Sequence, residues 1–381
     1  MVAGQSPIVV AGHVCLDVIP AFLPRESSEG PAFRPGHLIH VGAAVRSTGG
    51  AVSNTGLALH RLGTPVRLIG KIGDDLFGEE ILRLFRSQSP ELAEGMVRVA
   101  GEVTSYSIVI NPPGVDRTFL HCPGANDTFE ASDVPSGSLS GASLFHFGYP
   151  PLMRRIRENQ GEELVKLLTR VRGEGLTVSL DLCMVDPDSE PGRADWDGIL
   201  KRTLPLVDFF CPSVDELLYM LDRPAYERAE AEGGFTPQRH VNREMLRQLA
   251  ERCLQYGAAV VAIKLGDQGL YLRGTSDEMR LRSAGKAVDP VRVSEWTDCE
   301  FYSPCYKANV VGTTGSGDCT IAGLLAALIR GEPPQDILRS AVATGAASVE
   351  APDAVSGVPH WNVLEQRIAN GWDMQQGIIK F

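Results

Sequence analysis

The stretch Val310-Val311-Gly312-Thr313-Thr314-Gly315-Ser316-Gly317-Asp318 gathers the residue types best suited to chemistry. A valine pair leads into a loop of Gly, Thr and Ser. The apolar run that follows, Ile321 to Ile329, predicts a buried helix. Glycines let backbone N–H groups turn toward a ligand, and a helix N-terminus behind them adds partial positive charge. The loop therefore suits an anion. Asp318 falls in the first turn of the helix and reads two ways. It is either a carboxylate that satisfies free N–H groups, or a base that takes a proton while the N–H cradle stabilises a moving phosphoryl group. The loop alone leaves both readings open.

Four further places put polar residues where predicted strands end. Ile8-Val9-Val10-Ala11-Gly12 predicts a buried first strand, which sets Asp17 at or just past its C-terminal end. Ligands of open α/β sheets gather at that end. Thr48-Gly49-Gly50-Ala51-Val52-Ser53-Asn54 predicts a second Gly-rich loop, feeding a helix from Thr55 to Gly63. Asn54 at its mouth can both donate and accept hydrogen bonds, which suits a polyol. Ser213 and Glu216 open a helix after a strand at Val207–Cys211 and form a capping-box pattern. The same Glu216 is placed to hold magnesium through water. Lys264-Leu265-Gly266-Asp267-Gln268-Gly269 reads as strand, tight turn, strand. Its glycines admit a nucleotide close to the backbone, and it reads equally as a plain hairpin.

The elements that must position these residues follow from periodicity. Pro65 to Ile72 predicts a strand, Gly73-Asp74-Asp75 a turn, and Phe77 to Phe85 a helix. Thr104–Ile110 and Arg117–His121 alternate polar and apolar residues around Pro112-Pro113-Gly114, a hairpin pattern. With residues 35–46 they predict a small sheet off the main body, a lid built from segments around 13–47 and 101–123 that excludes water when closed. From residue 143 onward strands at 144–147, 176–182, 207–211 and 258–265 alternate with helices at 152–172, 215–221 and 243–256. Helices at 316–330, 335–350 and 361–370 finish the chain, and the polar stretch 223–240 reads as a surface insertion. This rhythm predicts a mainly parallel sheet covered on both faces, hence an α/β fold.

Composition narrows the function classes. The 381 residues, 43% hydrophobic, suit a large α/β core. A net charge of −11 with no Lys/Arg block argues against a nucleic-acid surface. The apolar run 321–329 is too short to span a bilayer, and no basic segment precedes an apolar one at the N-terminus, so neither membrane insertion nor a signal peptide is expected. Eight cysteines without a CxxC pair predict reduced thiols and a cytoplasmic protein; Cys299 and Cys305, with no nearby His, make a poor zinc site.

Taken in order, the N-terminal strand with Asp17, the Gly-Gly loop ending in Asn54, the turn Gly73-Asp74-Asp75-Leu76-Phe77-Gly78 and the late Thr313-Thr314-Gly315-Ser316-Gly317-Asp318 resemble the ribokinase (PfkB) family of ATP-dependent sugar kinases over almost the whole chain. The resemblance implies one Rossmann-like, three-layer α/β/α domain over 1–381 with a small β-sheet lid. It implies transfer of the γ-phosphate of ATP, with Mg2+, to a hydroxyl of a sugar or polyol. Asp318 is then the catalytic base and Gly315, Ser316 and Gly317 the anion hole. Asp17, Gly49, Gly50 and Asn54 hold the sugar. Ser213, Lys264, Gly266, Gly269 and Thr313 lie along the nucleotide, and Glu216 serves the metal. Relatives often dimerise through the lid, so a homodimer is expected.

Three positions depart from the family pattern. Gly312 stands where the loop usually begins with Asp, an acid that lies at a monovalent-cation site in many relatives, so potassium activation is left open. Ser213 replaces the Asn of Asn-x-x-Glu, and Ala51 replaces a Lys often found after the Gly-Gly pair. Asp353, near the C-terminus, is either a surface-turn residue or a substitute for the missing charge. Nucleoside and inositol kinases of the same fold are alternative readings, as is a catalytically weak sugar or nucleotide sensor. A dinucleotide-dependent oxidoreductase is disfavoured because no GxGxxG follows the first strand.

Overall fold

Two sheets organise the computed structural model, which describes residues 6–22, 35–112 and 118–379. The strands begin with β1 (Ile8–Gly12), β2 (Cys15–Phe22), β3 (Val41–Gly49), β4 (Val66–Gly73), β5 (Met96–Val99), β6 (Tyr106–Ile110) and β7 (Thr118–Cys122). They continue with β8 (Leu144–Gly148), β9 (Thr177–Leu180), β10 (Phe209–Phe210), β11 (Val260–Lys264), β12 (Leu270–Gly274) and β13 (Glu300–Ser303).

The main sheet runs β13-β12-β11-β10-β9-β8-β1-β4-β5. Its strands from β11 to β5 pair in parallel, while β12 and β13 are antiparallel additions at one edge. Runs such as Ile8–Gly12 and Leu144–Gly148 are buried at every residue, as strands covered on both faces must be. One face packs against the helices Ala51–Arg61, Ser316–Leu328 and Pro334–Ser348, the other against Arg154–Gly173, Trp196–Thr203 and Arg243–Gln255. The result is a three-layer α/β/α body.

The second sheet, β3-β2-β6-β7, stands apart as a lid. It differs from the expectation in two ways. Asp17 is inside β2 rather than at the end of β1, because the chain leaves the main sheet at Gly12 and pairs Cys15–Phe22 with β3 and β6. Only Val41–Gly49 of the neighbouring stretch is strand; Pro35–His40 is not. The hairpin tip at Pro113-Gly114, Arg117, and residues 23–34 of the lid segment lie outside the described residues. The base of the lid is tied down by Asp75. Its side chain caps the helix Leu76–Gln88 by accepting from Gly78 N at 2.8 Å, and takes Thr104 Oγ1 at 2.6 Å and Thr104 N at 2.8 Å.

Two helices also differ. The first helix begins at Ala51, not Thr55, so Ser53 and Asn54 sit on its opening turns instead of in a loop. The helix Arg154–Gly173 is interrupted at 158–161, where Asn159, Gln160 and Gly161 take positive φ. The 223–240 stretch forms the helices Arg223–Ala231 and Pro237–His240. No helix is long and apolar enough to cross a membrane among the described residues.

Candidate active site

The helix Ser316–Leu328 is buried along nearly its whole length, so its first turn is rigidly held. Gly315 is its N-cap, with φ 70 and ψ 5, a left-handed conformation that glycine adopts without strain. The first-turn N–H groups have no intrahelical acceptors, and Ser316 N donates to Thr313 O of the loop at 3.4 Å. Asp318, in that turn, is 3% exposed. Its carboxylate does not cap its own helix. Asn54 Nδ2 donates to Oδ2 at 3.0 Å, Tyr149 OH donates to Oδ2 at 2.8 Å, and Thr55 Oγ1 donates to Oδ1 at 3.4 Å. Burial pushes the Asp318 carboxyl above its ordinary value, while Lys264 and the three hydrogen bonds oppose the rise.

Asp318 follows directly on Ser316 and Gly317, which line a cavity, and its carboxylate touches a second group of polar side chains. The cavity, of about 210 Å³, is lined by Lys264, Gly266, Gly269, Thr313, Ser316 and Gly317. Six residues singled out for the nucleotide and anion sites thus surround one space. Gly266 and Gly269 flank a turn between the antiparallel strands β11 and β12, so the hairpin reading and the cavity-lining reading both hold. Tyr306 and Gln375 also line the cavity and escaped the sequence reading. They come together because the C-terminal tail returns across 305–307: Gln375 N donates to Cys305 O at 2.8 Å and Lys307 N to Asp373 O at 2.8 Å. No periodicity in the tail announces that return.

Lys264 ends β11, and its Nζ donates to Asp181 Oδ1 at 2.6 Å. It also lies against the anion loop: a Cβ placed on Gly317 would stand 3.7 Å from that Nζ. Burial disfavours the ammonium, but Asp181, Glu216 and Asp318 outweigh it and hold its pKa above the usual value. Asp181, just after β9, is 1% exposed, and its Oδ2 has no partner. Glu216 fills the capping-box role: its Oε2 accepts from Ser213 N at 2.7 Å, and Ser213 caps in return. Three carboxylates therefore surround one ammonium.

The second group of polar side chains, from the main body and the lid, connects to Asp318 through Asn54 and Tyr149. Asp17 joins it from β2, and burial pushes its carboxyl up to about 6 despite hydrogen bonds from Cys15 and Ser107. The Gly49–Gly50 pair has a specific cause here. A Cβ on Gly49 would stand 2.3 Å from Asp17 Oδ2, and one on Gly50, 2.5 Å from His13 Nδ1. Each glycine leaves room for one polar side chain. His121 of β7 adds its ring, with Nδ1 3.1 Å from Ser107 Oγ. Burial lowers the pKa of His13 to about 3, so its ring is neutral at pH 7; His121, exposed on β7, is lowered from its ordinary value where the ring faces protein.

The loop entrance explains its odd residue. Gly312 N donates to Val349 O at 3.2 Å, and a Cβ at 312 would stand 2.9 Å from Pro352 O and 3.0 Å from Ala351 O. Asp353 turns away from it; its Oδ1 accepts from Val355 N at 2.9 Å and Ser356 N at 2.7 Å, the surface-turn reading.

Tyr149, Asp181, Thr55 and His13 are the functional candidates that sequence reasoning missed. Tyr149 had one signal, a tyrosine between a strand-ending glycine and Pro150; it takes φ 64, unusual for a bulky side chain. No group of three or more His, Cys, Asp or Glu side chains placed to hold a metal ion occurs among the described residues.

Known proteins resemble this chain in sequence and in fold. The profile of the "pfkB family carbohydrate kinase" matches residues 6–361. The chain is 28% identical to an uncharacterized sugar kinase of Archaeoglobus fulgidus over 303 residues, 80% of this chain and 98% of that one. It is 25% identical to 2-dehydro-3-deoxygluconokinase of Bacillus subtilis over 329 residues, 85% and 87% of the two chains. Among solved structures, Arabidopsis thaliana ribokinase complexed with ribose and ATP superposes with a TM-score of 0.69 at 20% identity, covering 95% of this chain and 98% of that one. The fold is ribokinase-like.

Proposed function

The chain belongs to the pfkB family of carbohydrate kinases, and from that premise we propose that it transfers the γ-phosphoryl group of ATP to a hydroxyl of a neutral sugar or polyol. The observation that carries the reading is the position of Asp318, buried next to Ser316 and Gly317 of the cavity wall and hydrogen-bonded by Asn54 and Tyr149. A hydroxyl bound between Asp318 and the γ-phosphorus gives its proton to the carboxylate as its oxygen bonds phosphorus. The bond from phosphorus to the bridging oxygen breaks and ADP leaves. The backbone N–H groups of Gly315, Ser316 and Gly317 hold the phosphoryl oxygens, and the Lys264 ammonium neutralises charge beside them. The raised pKa of Asp318 makes it a better base than an exposed carboxylate.

A magnesium ion fits the donor side. Asp181 Oδ2 is buried without a partner, and Asp181, Glu216 and Asp318 together outnumber the single ammonium. Asp181 and Glu216 would hold Mg2+ through water while ATP phosphates supply further ligands; when bound, the ion offsets the phosphate charge.

The acceptor side carries Asp17 and Asp318 and two imidazoles, with no cationic side chain among the described residues gathered there. A carboxylated acceptor, such as the one the B. subtilis relative's name specifies, would meet two carboxylates, with Lys264 on the far side of Asp318 the only cation near them among the described residues. This supports a neutral acceptor. The test is ADP release with Mg-ATP over D-fructose, D-ribose and myo-inositol, against gluconate and 2-dehydro-3-deoxygluconate. Turnover of the acids alone would overturn the neutral assignment, and no acceptor-dependent ADP with any sugar, polyol or nucleoside would overturn the kinase reading.

On the face of the lid that carries Asp17 and His121, the register also places Val41, Val45 and Phe119, and all three are exposed. That apolar face supports pairing of two copies through the lid. Light scattering at micromolar concentration reads the mass directly; a monomer throughout would reject it.

A further inference from the structure

The ring of His13 is enclosed on three sides. His121 of the lid stands 5.3 Å away between ring centroids, Tyr149 stands 6.1 Å away, and Gly50 closes the side of Nδ1. The residue is 2% exposed, and neither ring nitrogen has a hydrogen-bond partner. A neutral imidazole carries one N–H donor and one acceptor nitrogen. Leaving both unmet in a buried place costs free energy that native structures seldom tolerate without a purpose.

The other polar side chains of this group are engaged. Tyr149 OH and Asn54 Nδ2 donate to Asp318, and His121 Nδ1 pairs with Ser107. Both nitrogens of His13 are open, and Tyr149 relates it to the base: the Tyr149 ring lies beside His13, and its hydroxyl touches Asp318. A small polyol seated along Tyr149 with one hydroxyl at Asp318 would turn another toward His13.

We propose that His13 is a specificity-determining residue whose imidazole hydrogen-bonds a hydroxyl of the acceptor other than the one phosphorylated. This rests on the kinase reading above. Because the ring is neutral, it serves an uncharged hydroxyl by donating from one nitrogen or accepting at the other. Sites built to pair a substrate hydroxyl reject the analogue that lacks it far more strongly than apolar pockets do, because the site's own polar group is left unmet. The acceptor lacking that hydroxyl should therefore be a poor substrate.

The test crosses enzyme variants with deoxy analogues. Whichever of D-fructose, D-ribose and myo-inositol the wild type phosphorylates is assayed beside its single-deoxy analogues, with wild type, His13→Leu and His13→Gln. Wild type is expected to prefer the parent over one particular analogue by about 10- to 100-fold in kcat/KM. In His13→Leu that preference should collapse to within about three-fold, and His13→Gln should restore part of it. KM for ATP and the melting temperature report on misfolding, which would not erase discrimination at one hydroxyl alone. Discrimination against every deoxy analogue as strong in His13→Leu as in wild type overturns the His13 assignment and leaves the kinase reading standing. Absence of wild-type turnover with these three and every other acceptor tried overturns the kinase reading instead.

Discussion

Tyr149 OH donates to Asp318 Oδ2 at 2.8 Å across 169 residues of chain. The contact joins the end of β8 to the first turn of the Ser316–Leu328 helix, and Asn54 makes a second link to the same oxygen from the Ala51–Arg61 helix. The carboxylate at the meeting point is thus aimed by two other elements and is not free to cap its own helix.

Tyr149→Phe should shift the acid limb of activity. The hydrogen bond stabilises the ionised carboxylate and so lowers the pKa of Asp318. Removing it raises that pKa, and more base is protonated at any given pH. A bond to a charged group contributes about 1.5 kcal/mol or more, about one pH unit. The limb of kcat/KM on the acid side should move upward by about that amount. A limb that stays put or moves to lower pH would reject the role.

Lys264→Met should remove turnover and destabilise the fold together. It strands the buried Asp181 carboxylate, at a cost of about 3–5 kcal/mol. The double variant Lys264→Met/Asp181→Asn should recover much of the melting temperature without recovering activity. Recovery of both would mean that Lys264 serves only the ion pair.

Asp17→Asn should raise stability at neutral pH while weakening acceptor binding. The folded-state pKa of Asp17, about 6, lies above its ordinary value of 3.8. Between these values the native state binds more protons than the unfolded one, so stability falls as pH rises from about 4 to 6 and stays level above. The substitution should flatten that window and add about 1–2 kcal/mol at pH 7 after allowing for screening. Urea unfolding at pH 4.5 and 7 checks it; an equal destabilisation at both values would contradict the burial account.

Potassium should not activate. Gly312 supplies no carboxylate, Val349 O already accepts from Val311 N and Gly312 N, and Asp353 accepts the N–H groups of its own turn. Exchanging potassium for tetramethylammonium at constant ionic strength should alter kcat by less than about two-fold, since no charged ligand stands ready at the loop entrance. A ten-fold loss would show that backbone carbonyls alone build a cation site there.

The parts legible in the sequence were those where the backbone itself dictates residue type. Gly315 must take positive φ, Gly49 and Gly50 must clear Asp17 and His13, and fully apolar runs such as Ile8–Gly12 must be inner strands. Helix onset at 51 was hidden because its first turns carry Ser53, Asn54 and Thr55, polar residues that face the site rather than water. Tyr149 and Asp181 were hidden for a topological reason. Their roles depend on β8 and β9 lying between β1 and β10 in the sheet, an order that no local pattern encodes. Asp17 was singled out by its type but lies one strand later than expected, because a chain leaving one sheet for another at Gly12 reads like a strand end.

The base assignment of Asp318 is the centre of the account, and Asp318→Asn tests it most directly. With the acceptor that wild type phosphorylates, kcat should fall by roughly two orders of magnitude or more, while acceptor affinity, measured by titration with a non-hydrolysable ATP analogue present, stays within about three-fold. A kcat within a few-fold of wild type would contradict it.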